Sequence, residues 1–178
     1  MSDTLVQLLS EKAKYFPDYT VFNFLKSGKI TDKITFFELD QRSRSLAVRI
    51  SKSVQSGQPA LLLYPPGIQF IIGFFGCLYA GVIPVPAYPP NPYKLEIDFP
   101  KLLHFLKTGE INHILTTSKM KVLLKAELFY GRLRKYSHSG IKNSELIIKN
   151  FRWITSDRLR TKDSKKWFAK NFELFRRA

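Results

Sequence analysis

The sequence predicts an α/β domain in which helices flank a layered, mostly parallel sheet. Residues 59–91 carry no charged side chain, and their order is that of a strand, an apolar helix and a second strand. Strand-like and helix-like segments alternate along most of the chain, which is typical of parallel α/β sheets. Hydrophobic residues make up 44% of the chain and aromatic residues 14%. These proportions support a sizeable core and argue against disorder over the whole length.

The N-terminal part predicts two helices that enclose a pair of strands. Leucines at helical spacing indicate the first helix, β-branched and aromatic residues indicate the first strand, and a polar turn around Gly28 separates it from a short return strand. Thr35 and Glu38 have the Thr-x-x-Glu spacing of a capping box, which predicts the start of the second helix. The predicted elements are, in order, residues 4–15, 20–25, 33–35 and 36–53.

The charge-free stretch predicts a strand–helix–strand unit. Residues 60–63 form an apolar run that is typical of a parallel strand buried on both faces. Tyr64-Pro65-Pro66-Gly67 stops the strand, because proline cannot donate to a sheet ladder. A helix over residues 68–80 then ends at Gly81. The second strand, residues 82–87, runs into Tyr88-Pro89-Pro90.

The C-terminal half continues the alternation. Pro100 suits the first turn of a helix that continues to about residue 107, and Thr117 or Ser118 suits the N-cap of a later helix. A strand is expected within residues 145–155. The other predicted elements are a strand at 111–116, a helix at 119–136 and a loop at 137–144.

Three motifs of the charge-free stretch carry a resemblance to a known family. They are LLLYPPG at 61–67, FFGCLYAGV at 74–82 and VPAYPP at 85–90. This segment resembles the N-terminal subdomain of the adenylate-forming enzymes. Its Tyr-Pro-Pro-Gly turn and Ala-Tyr-Pro-Pro exit most resemble the fatty acyl-AMP ligases. Further similar motifs extend the likeness over about residues 4–157; they lie at 4–6, 16–18, 34–40, 114–118 and 153–157.

The resemblance implies a reaction that the residues alone do not show. Enzymes of this family use ATP and Mg²⁺ to convert a carboxylic acid into an acyl-adenylate, with release of pyrophosphate. Fatty acyl-AMP ligases are then expected to pass the acyl group to an acyl carrier protein rather than to coenzyme A. A phosphate cradle of backbone amides is needed for such chemistry, and the family builds it from a loop of the form Thr-Ser-Gly-Ser-Thr-Gly-x-Pro-Lys-Gly.

This sequence contains no such loop. The polar stretches 116–118 and 137–140 have the wrong glycine content, and GxxxxGK[ST] and GxGxxG are also absent. We therefore expect residues 1–157 to be a truncated N-terminal acyl-AMP-ligase-like subdomain that is inactive alone. No residue is assigned to catalysis or to binding of a cofactor or metal, and the substrate-binding residues are unknown. A chain encoded downstream could supply the missing part.

The charge leaves a second function class open. The net charge is +15, and 20 of the 29 basic residues follow residue 90. A solvated lysine-rich surface explains this, but so does a basic module that binds anionic lipid, a protein or, with less support, nucleic acid. Such a module predicts salt-sensitive binding that disappears when four residues of the tail are neutralised: Lys165, Lys166, Arg176 and Arg177.

The divergent tail, residues 158–178, contains aromatic residues at helical spacing: Trp167, Phe168, Phe172 and Phe175. The pattern predicts a basic amphipathic helix, which could bind a membrane surface or partner or cover the sheet. Alternatively, the tail is out-of-frame sequence.

Few other residues suggest a site. His104, His113 and His138 match no metal-binding spacing. Cys77 lies among apolar residues and is expected in the core; a single cysteine and the absence of a signal sequence favour the cytoplasm. Prolines and glycines interrupt the apolar stretch, so no transmembrane span is expected. The turns at 64–67 and 87–90 follow strand ends and could flank a crevice, although rigid structural turns are the simpler interpretation.

Overall fold

A computed structural model describes residues 4–91, 94–133 and 151–167. Its elements are α1 (Leu5–Tyr15), β1 (Thr20–Lys26), β2 (Lys29–Thr35), α2 (Phe36–Ile50), β3 (Pro59–Leu63), α3 (Ile68–Ala80), β4 (Ile83–Ala87), α4 (Leu95–Thr108), β5 (His113–Thr116), α5 (Ser118–Leu133), β6 (Arg152–Thr155) and a 3₁₀ helix (Thr161–Lys166). Within these residues, β1 and β2 form a hairpin, and the remaining strands form a sheet of order β4-β3-β5-β6. All neighbours in the larger sheet are parallel. The predicted fold class is confirmed.

The hairpin is longer than the sequence pattern predicted. Ser27 and Gly28 have φ values of 49° and 76°, and two consecutive positive φ values are those of a type I′ turn. Such a turn lets pairing begin at once, with Lys26 opposite Lys29. The return strand therefore starts at Lys29 rather than at residue 33.

The capping box predicted for α2 is present. The Glu38 N–H donates to Thr35 Oγ1 at 3.2 Å, and the Thr35 N–H donates to Glu38 Oε2 at 3.0 Å. Thr4 and Gln7 form the same arrangement at α1. Each box satisfies N–H groups that the first turn of a helix leaves without a partner. The end of α2 at Ile50 lies three residues before the predicted end.

The strand–helix–strand unit follows its prediction closely. The C-terminal end of α3 is closed by Gly81, whose φ of 69° is left-handed, and the Val82 N–H donates to the Cys77 carbonyl at 2.9 Å. Glycine favours the left-handed backbone conformation that allows this hydrogen bond at the C-terminal end of a helix. It turns the chain directly into β4, which pairs with β3 from Ile83 onward.

Helices cover both faces of the sheet, which explains the unbroken apolar run in β3. Leu62 packs with α2 and α3 on one face, whereas Leu61 and Leu63 pack with Leu106 of α4 and Leu124 of α5 on the other. All three β3 leucines are fully buried. A strand enclosed on both faces has no solvent-facing positions, and its sequence therefore does not alternate.

Helix α4 starts earlier than predicted. It begins at Leu95, so that Pro100 lies inside the helix rather than in its first turn. Proline has no backbone N–H, so one helical hydrogen bond is missing there. The buried side chains of Phe99 and Leu106, which are 3% and 1% exposed, nevertheless hold the helix against the body of the protein. Tertiary packing thus outweighs the local cost.

The elements after α4 match the predictions with small shifts. Strand β5 is two residues shorter at its start than predicted, because the Ile111 N–H closes α4 by donating to the Leu106 carbonyl. Thr117 is the N-cap of α5, since its Oγ1 accepts from the Met120 N–H at 3.1 Å. The predicted helix end at 136 and the loop at 137–144 lie outside the described residues. No helix among the described residues has both the length and the hydrophobicity to cross a bilayer.

Candidate functional site

The two proline turns singled out in the sequence leave neighbouring strands at the same edge of the sheet. Strands β3 and β4 are parallel, and Leu63 lies opposite Ala87 at their carboxyl ends. Residues 64–67 and 87–90 therefore emerge side by side. This edge is where open α/β sheets bind their ligands.

The first turn, residues 64–67, packs against the core rather than lining a cleft. Tyr64 is 4% exposed, and a Cβ built on Gly73 would come within 2.8 Å of its ring. Burial raises the pKa of the Tyr64 hydroxyl well above its ordinary value, so the side chain is neutral. Gly67 has a φ of 153°, which side-chain-bearing residues rarely adopt, and it leads the chain into α3.

The second turn lines a cleft of about 380 Å³. Residues 86–90 form one wall, and Asp98, Lys101, Leu102 and Phe105 of α4 form the other. The Asn91 N–H donates to Asp98 Oδ2 at 3.1 Å and ties the loop to the helix. The crevice suggested between the two turns thus lies between the second turn and α4.

A polar cluster that sequence reasoning missed joins the carboxyl ends of three strands. Thr116 Oγ1 donates to the Leu63 carbonyl at 2.6 Å. The Ser156 N–H donates to the Thr116 carbonyl at 3.0 Å, and Ser156 Oγ donates to Gln69 Oε1 at 2.9 Å. These bonds fix β3, β5, β6 and α3 relative to one another. The sequence signal was a hydroxyl residue at the end of β5, Thr116, and another directly after β6, Ser156.

Asp157 extends this cluster to the first turn of α5. Its carboxylate accepts from the Ser118 N–H at 2.9 and 3.0 Å and from Ser118 Oγ at 2.9 Å. Partial burial raises the pKa of Asp157, but these hydrogen bonds outweigh it and hold the pKa below the ordinary value. A carboxylate at a helix N-terminus also suits the positive end of the helix dipole.

The histidines and the cysteine do not form a common site. His104 is exposed on α4, His113 is buried on β5, and His138 lies outside the described residues. In the described part of the chain, no three His, Cys, Asp or Glu side chains form a group able to hold a metal ion. Cys77 is fully buried, as predicted, and burial raises the pKa of its thiol.

The described part of the tail packs on helices rather than continuing as an α-helix. Residues 161–166 form the 3₁₀ helix, and Trp167 has extended backbone angles. The Trp167 indole N–H donates to the Tyr79 carbonyl at 3.0 Å, and the Arg44 guanidinium lies 4.7 Å from the indole centroid. Over the described residues 161–167 the tail is therefore not an α-helix, which was one of the alternatives that the aromatic spacing left open. Phe168, Phe172 and Phe175 lie outside the described residues.

Two arginines of α2 fasten the segment that follows β6. Arg49 donates to the carbonyls of Thr155, at 2.7 Å, and of Arg158. Arg44 pairs with Asp40 at 2.9 Å, and Asp40 also accepts a hydrogen bond from the Tyr79 hydroxyl. These two basic residues, which lie in the N-terminal half of the chain, thus have structural partners.

The basic residues proposed for anion binding are only partly described. Lys165 and Lys166 are exposed on the 3₁₀ helix, and Lys166 lies 3.5 Å from Asp163. Arg176 and Arg177 lie outside the described residues. The basic binding module therefore stays a prediction.

Comparison with known proteins identifies the relatives of this chain. The AMP-binding enzyme family matches residues 9–171. The medium-chain-fatty-acid–[acyl-carrier-protein] ligase JamA of Moorena producens (strain JHB) is 36% identical over 167 residues, which are 92% of this chain and 26% of that protein. Disco-interacting protein 2 homolog A of Homo sapiens is 30% identical over 69% of this chain and 8% of its own length. The chain thus spans about a quarter of the ligase.

Solved structures share the fold. The fatty acid AMP ligase from Legionella pneumophila has a TM-score of 0.73 at 22% identity, over 96% of this chain and 26% of that one. The fatty acyl-adenylate ligase from L. pneumophila in complex with acyl adenylate and pyrophosphate has a TM-score of 0.70 at the same identity. The resemblance inferred from the proline motifs is confirmed, and the chain belongs to the family of AMP-binding enzymes.

Proposed function

We propose that this chain is the N-terminal part of a fatty acyl-AMP ligase. In the complete enzyme, a fatty acid carboxylate attacks the α-phosphorus of ATP, pyrophosphate leaves, and the acyl group passes from the acyl-adenylate to an acyl carrier protein. The observation that carries the proposal is 36% identity over 92% of the chain to a protein named as a medium-chain fatty acid ligase for acyl carrier protein.

The role of this segment in that reaction is structural. It supplies parallel strands whose carboxyl ends are joined by hydrogen bonds of Thr116 and Ser156. Rigid strand ends position groups better than mobile loops do. The sequence has no glycine-rich phosphate loop. We therefore infer that ATP and Mg²⁺ are held by residues that this chain does not contain.

A chimaera tests the proposal directly. The 178 residues replace the equivalent quarter of the Moorena producens ligase, and fatty-acid-dependent exchange of pyrophosphate into ATP is measured. We expect the chimaera to catalyse exchange with medium-chain fatty acids. A chimaera that folds, as judged by circular dichroism, but shows no exchange with fatty acids of any chain length would contradict the proposal.

The isolated chain provides the complementary measurement. We expect no exchange above background from the 178-residue chain, because it lacks the amide donors that hold the triphosphate. Mixing it with the remaining three quarters of the ligase tests whether a second chain can complete the enzyme. Robust exchange by the isolated chain would overturn the inference that it is inactive alone.

A further inference from the structure

Helices α4 and α5 cover the same face of the sheet. Leu106 of α4 and Leu124 of α5 pack with Leu61 and Leu63 of β3 in one cluster. The sides of the two helices that point away from this cluster therefore face outward together. We call this surface the α4–α5 face, and six of its exposed side chains are Ile97, Lys101, Phe105, Lys119, Val122 and Lys125.

The apolar side chains of the α4–α5 face lie beside its lysines. Val122 is 67% exposed, Ile97 56% and Phe105 45%. Lys101 follows Ile97 by four residues, and Lys125 follows Val122 by three, so charged and apolar side chains share one side of each helix. Exposed apolar side chains gain free energy when an apolar phase covers them.

The positive charge of this face has no counterpart among the described side chains. The two helices together carry six lysine and arginine residues and three acidic residues. Lys101, Lys119 and Lys125 are exposed, and no described carboxylate forms an ion pair with them. Asp98 of α4 instead accepts the Asn91 N–H.

Lys121 and Lys125 place two like charges about one helical turn apart. Burial lowers the pKa of Lys121, and the charge of Lys125 lowers it further. Such a pair destabilises a helix in water, and an anionic surface that neutralises both charges relieves the repulsion. The face is therefore complementary to a partner that has many negative charges above an apolar layer.

We propose that the α4–α5 face docks on an anionic lipid bilayer, with its lysines at the headgroups and its apolar side chains at the boundary of the acyl chains. A lysine stem spans the distance between these two layers. Nucleic acid supplies the negative charge, but its phosphate backbone has no apolar layer for Val122 or Ile97. The proposal does not depend on the reaction proposed above.

Flotation of the 178-residue chain with lipid vesicles tests the docking. We expect binding to vesicles of phosphatidylcholine mixed with phosphatidylglycerol and none to vesicles of phosphatidylcholine alone. Added salt should weaken the binding, because it screens the charges. A DNA duplex that binds as tightly as the mixed vesicles would indicate a nucleic-acid surface instead and would overturn the proposal.

The lysines of the face are tested against lysines elsewhere. Lys119→Gln combined with Lys125→Gln should weaken binding to the mixed vesicles about thirtyfold, because each lysine at an anionic surface contributes about a factor of five. Lys26→Gln combined with Lys29→Gln removes the same charge from the hairpin, which packs on the other side of the sheet. This control should change binding less than about twofold, since distant charges are screened.

The apolar contribution has its own matched pair. Val122→Ser should weaken vesicle binding about fivefold, because a side chain that enters the acyl boundary is lost. Ile30→Ser, at a position of the hairpin that is 61% exposed, should leave binding unchanged. Equal losses in the two lysine double variants would show that only the net charge matters and would overturn the proposal. So would no binding by a chain that circular dichroism shows to be folded.

The chimaeric ligase carries the same face, and the matched variants can be compared in it. If the chimaera catalyses exchange but neither it nor the isolated chain binds mixed vesicles, the proposed function stands and the docking surface is wrong. If vesicles bind as described and the folded chimaera shows no exchange, the docking surface stands on a protein with another function.

Discussion

Gly76 of α3 and Leu46 of α2 lie so close that no side chain fits between them. A Cβ built on Gly76 would lie 2.8 Å from Leu46 Cδ2 and 3.1 Å from Leu46 Cβ. Leu46 is fully buried and cannot move aside, since protein interiors are close-packed. The two helices that cover one face of the sheet thus owe their close approach to a glycine.

Gly76→Ala is therefore expected to lower the free energy of unfolding by about 1–3 kcal/mol, the usual cost of overpacking. Helix propensity alone predicts the opposite, because alanine is better than glycine in a helix by about 1 kcal/mol. Urea denaturation followed by circular dichroism measures the difference. In a Leu46→Ala background the added methyl group has room, so Gly76→Ala should no longer lower the free energy of unfolding. If Gly76→Ala destabilises that background as much as the wild type, the explanation is refuted.

Trp167 is expected to hold the segment after β6 against α2 and α3. Trp167→Ala should lower the free energy of unfolding by about 2 kcal/mol, less than for a fully buried aromatic residue, because it removes the indole contacts with Arg44 and Tyr79. Trp167→Phe should cost less than Trp167→Ala. Lys165→Ala, at an exposed neighbouring position, should stay within about 0.5 kcal/mol of the wild type. Thermal unfolding of the four chains tests this order, and equal stability of the first variant and the wild type would contradict it.

His113 predicts how stability depends on pH. Its burial lowers its pKa, a hydrogen bond to the backbone of Ser53 opposes this, and the nearby charge of Arg152 lowers the pKa further. The folded chain thus binds the proton less readily than the unfolded chain. The stabilising effect is present above the ordinary histidine pKa of about 6.5 and declines as the pH falls from there through the lowered folded pKa.

Separate replacement of His113 and of His104 isolates this contribution. His113→Gln should flatten the loss of stability between about pH 7 and pH 5, even if its stability is lower overall. His104→Gln, at an exposed position of α4, should retain the wild-type slope. Urea midpoints measured across this pH range test the prediction, and a slope that His104→Gln removes instead would show that the wrong histidine was chosen.

Cys77 is expected to be inert in the native protein. It is fully buried, and burial raises the pKa of its thiol, so that little thiolate is available to react. A disulfide reagent such as dithionitrobenzoate should label the thiol slowly under native conditions and at once in denaturant. Rapid labelling of the folded chain would mean that α3 opens far more readily than its packing indicates.

The sequence by itself predicted the features that depend on neighbours in the chain. The apolar run of β3 predicted a buried parallel strand, and Thr35 with Glu38 predicted a helix start. Gly81 predicted a helix end. Each of these depends on residues within one turn or one strand, whose preferred backbone angles and hydrogen bonds are fixed locally. The proline motifs likewise identified the family.

Tertiary structure alone decided where distant parts of the chain meet. Helix α4 begins before Pro100 because Phe99 and Leu106 are buried, and the cleft exists because α4 packs beside the exit of β4. The Trp167 indole donates a hydrogen bond to the carbonyl of Tyr79, a residue 88 positions earlier, whereas the aromatic spacing of the tail had indicated a helix. Periodicity reports which face of an element is apolar, but it carries no information about which partner covers that face. The partner is chosen by packing over the whole domain, and for that reason the sequence suggested the turn at 87–90 but only the three-dimensional structure showed that α4 lies opposite it.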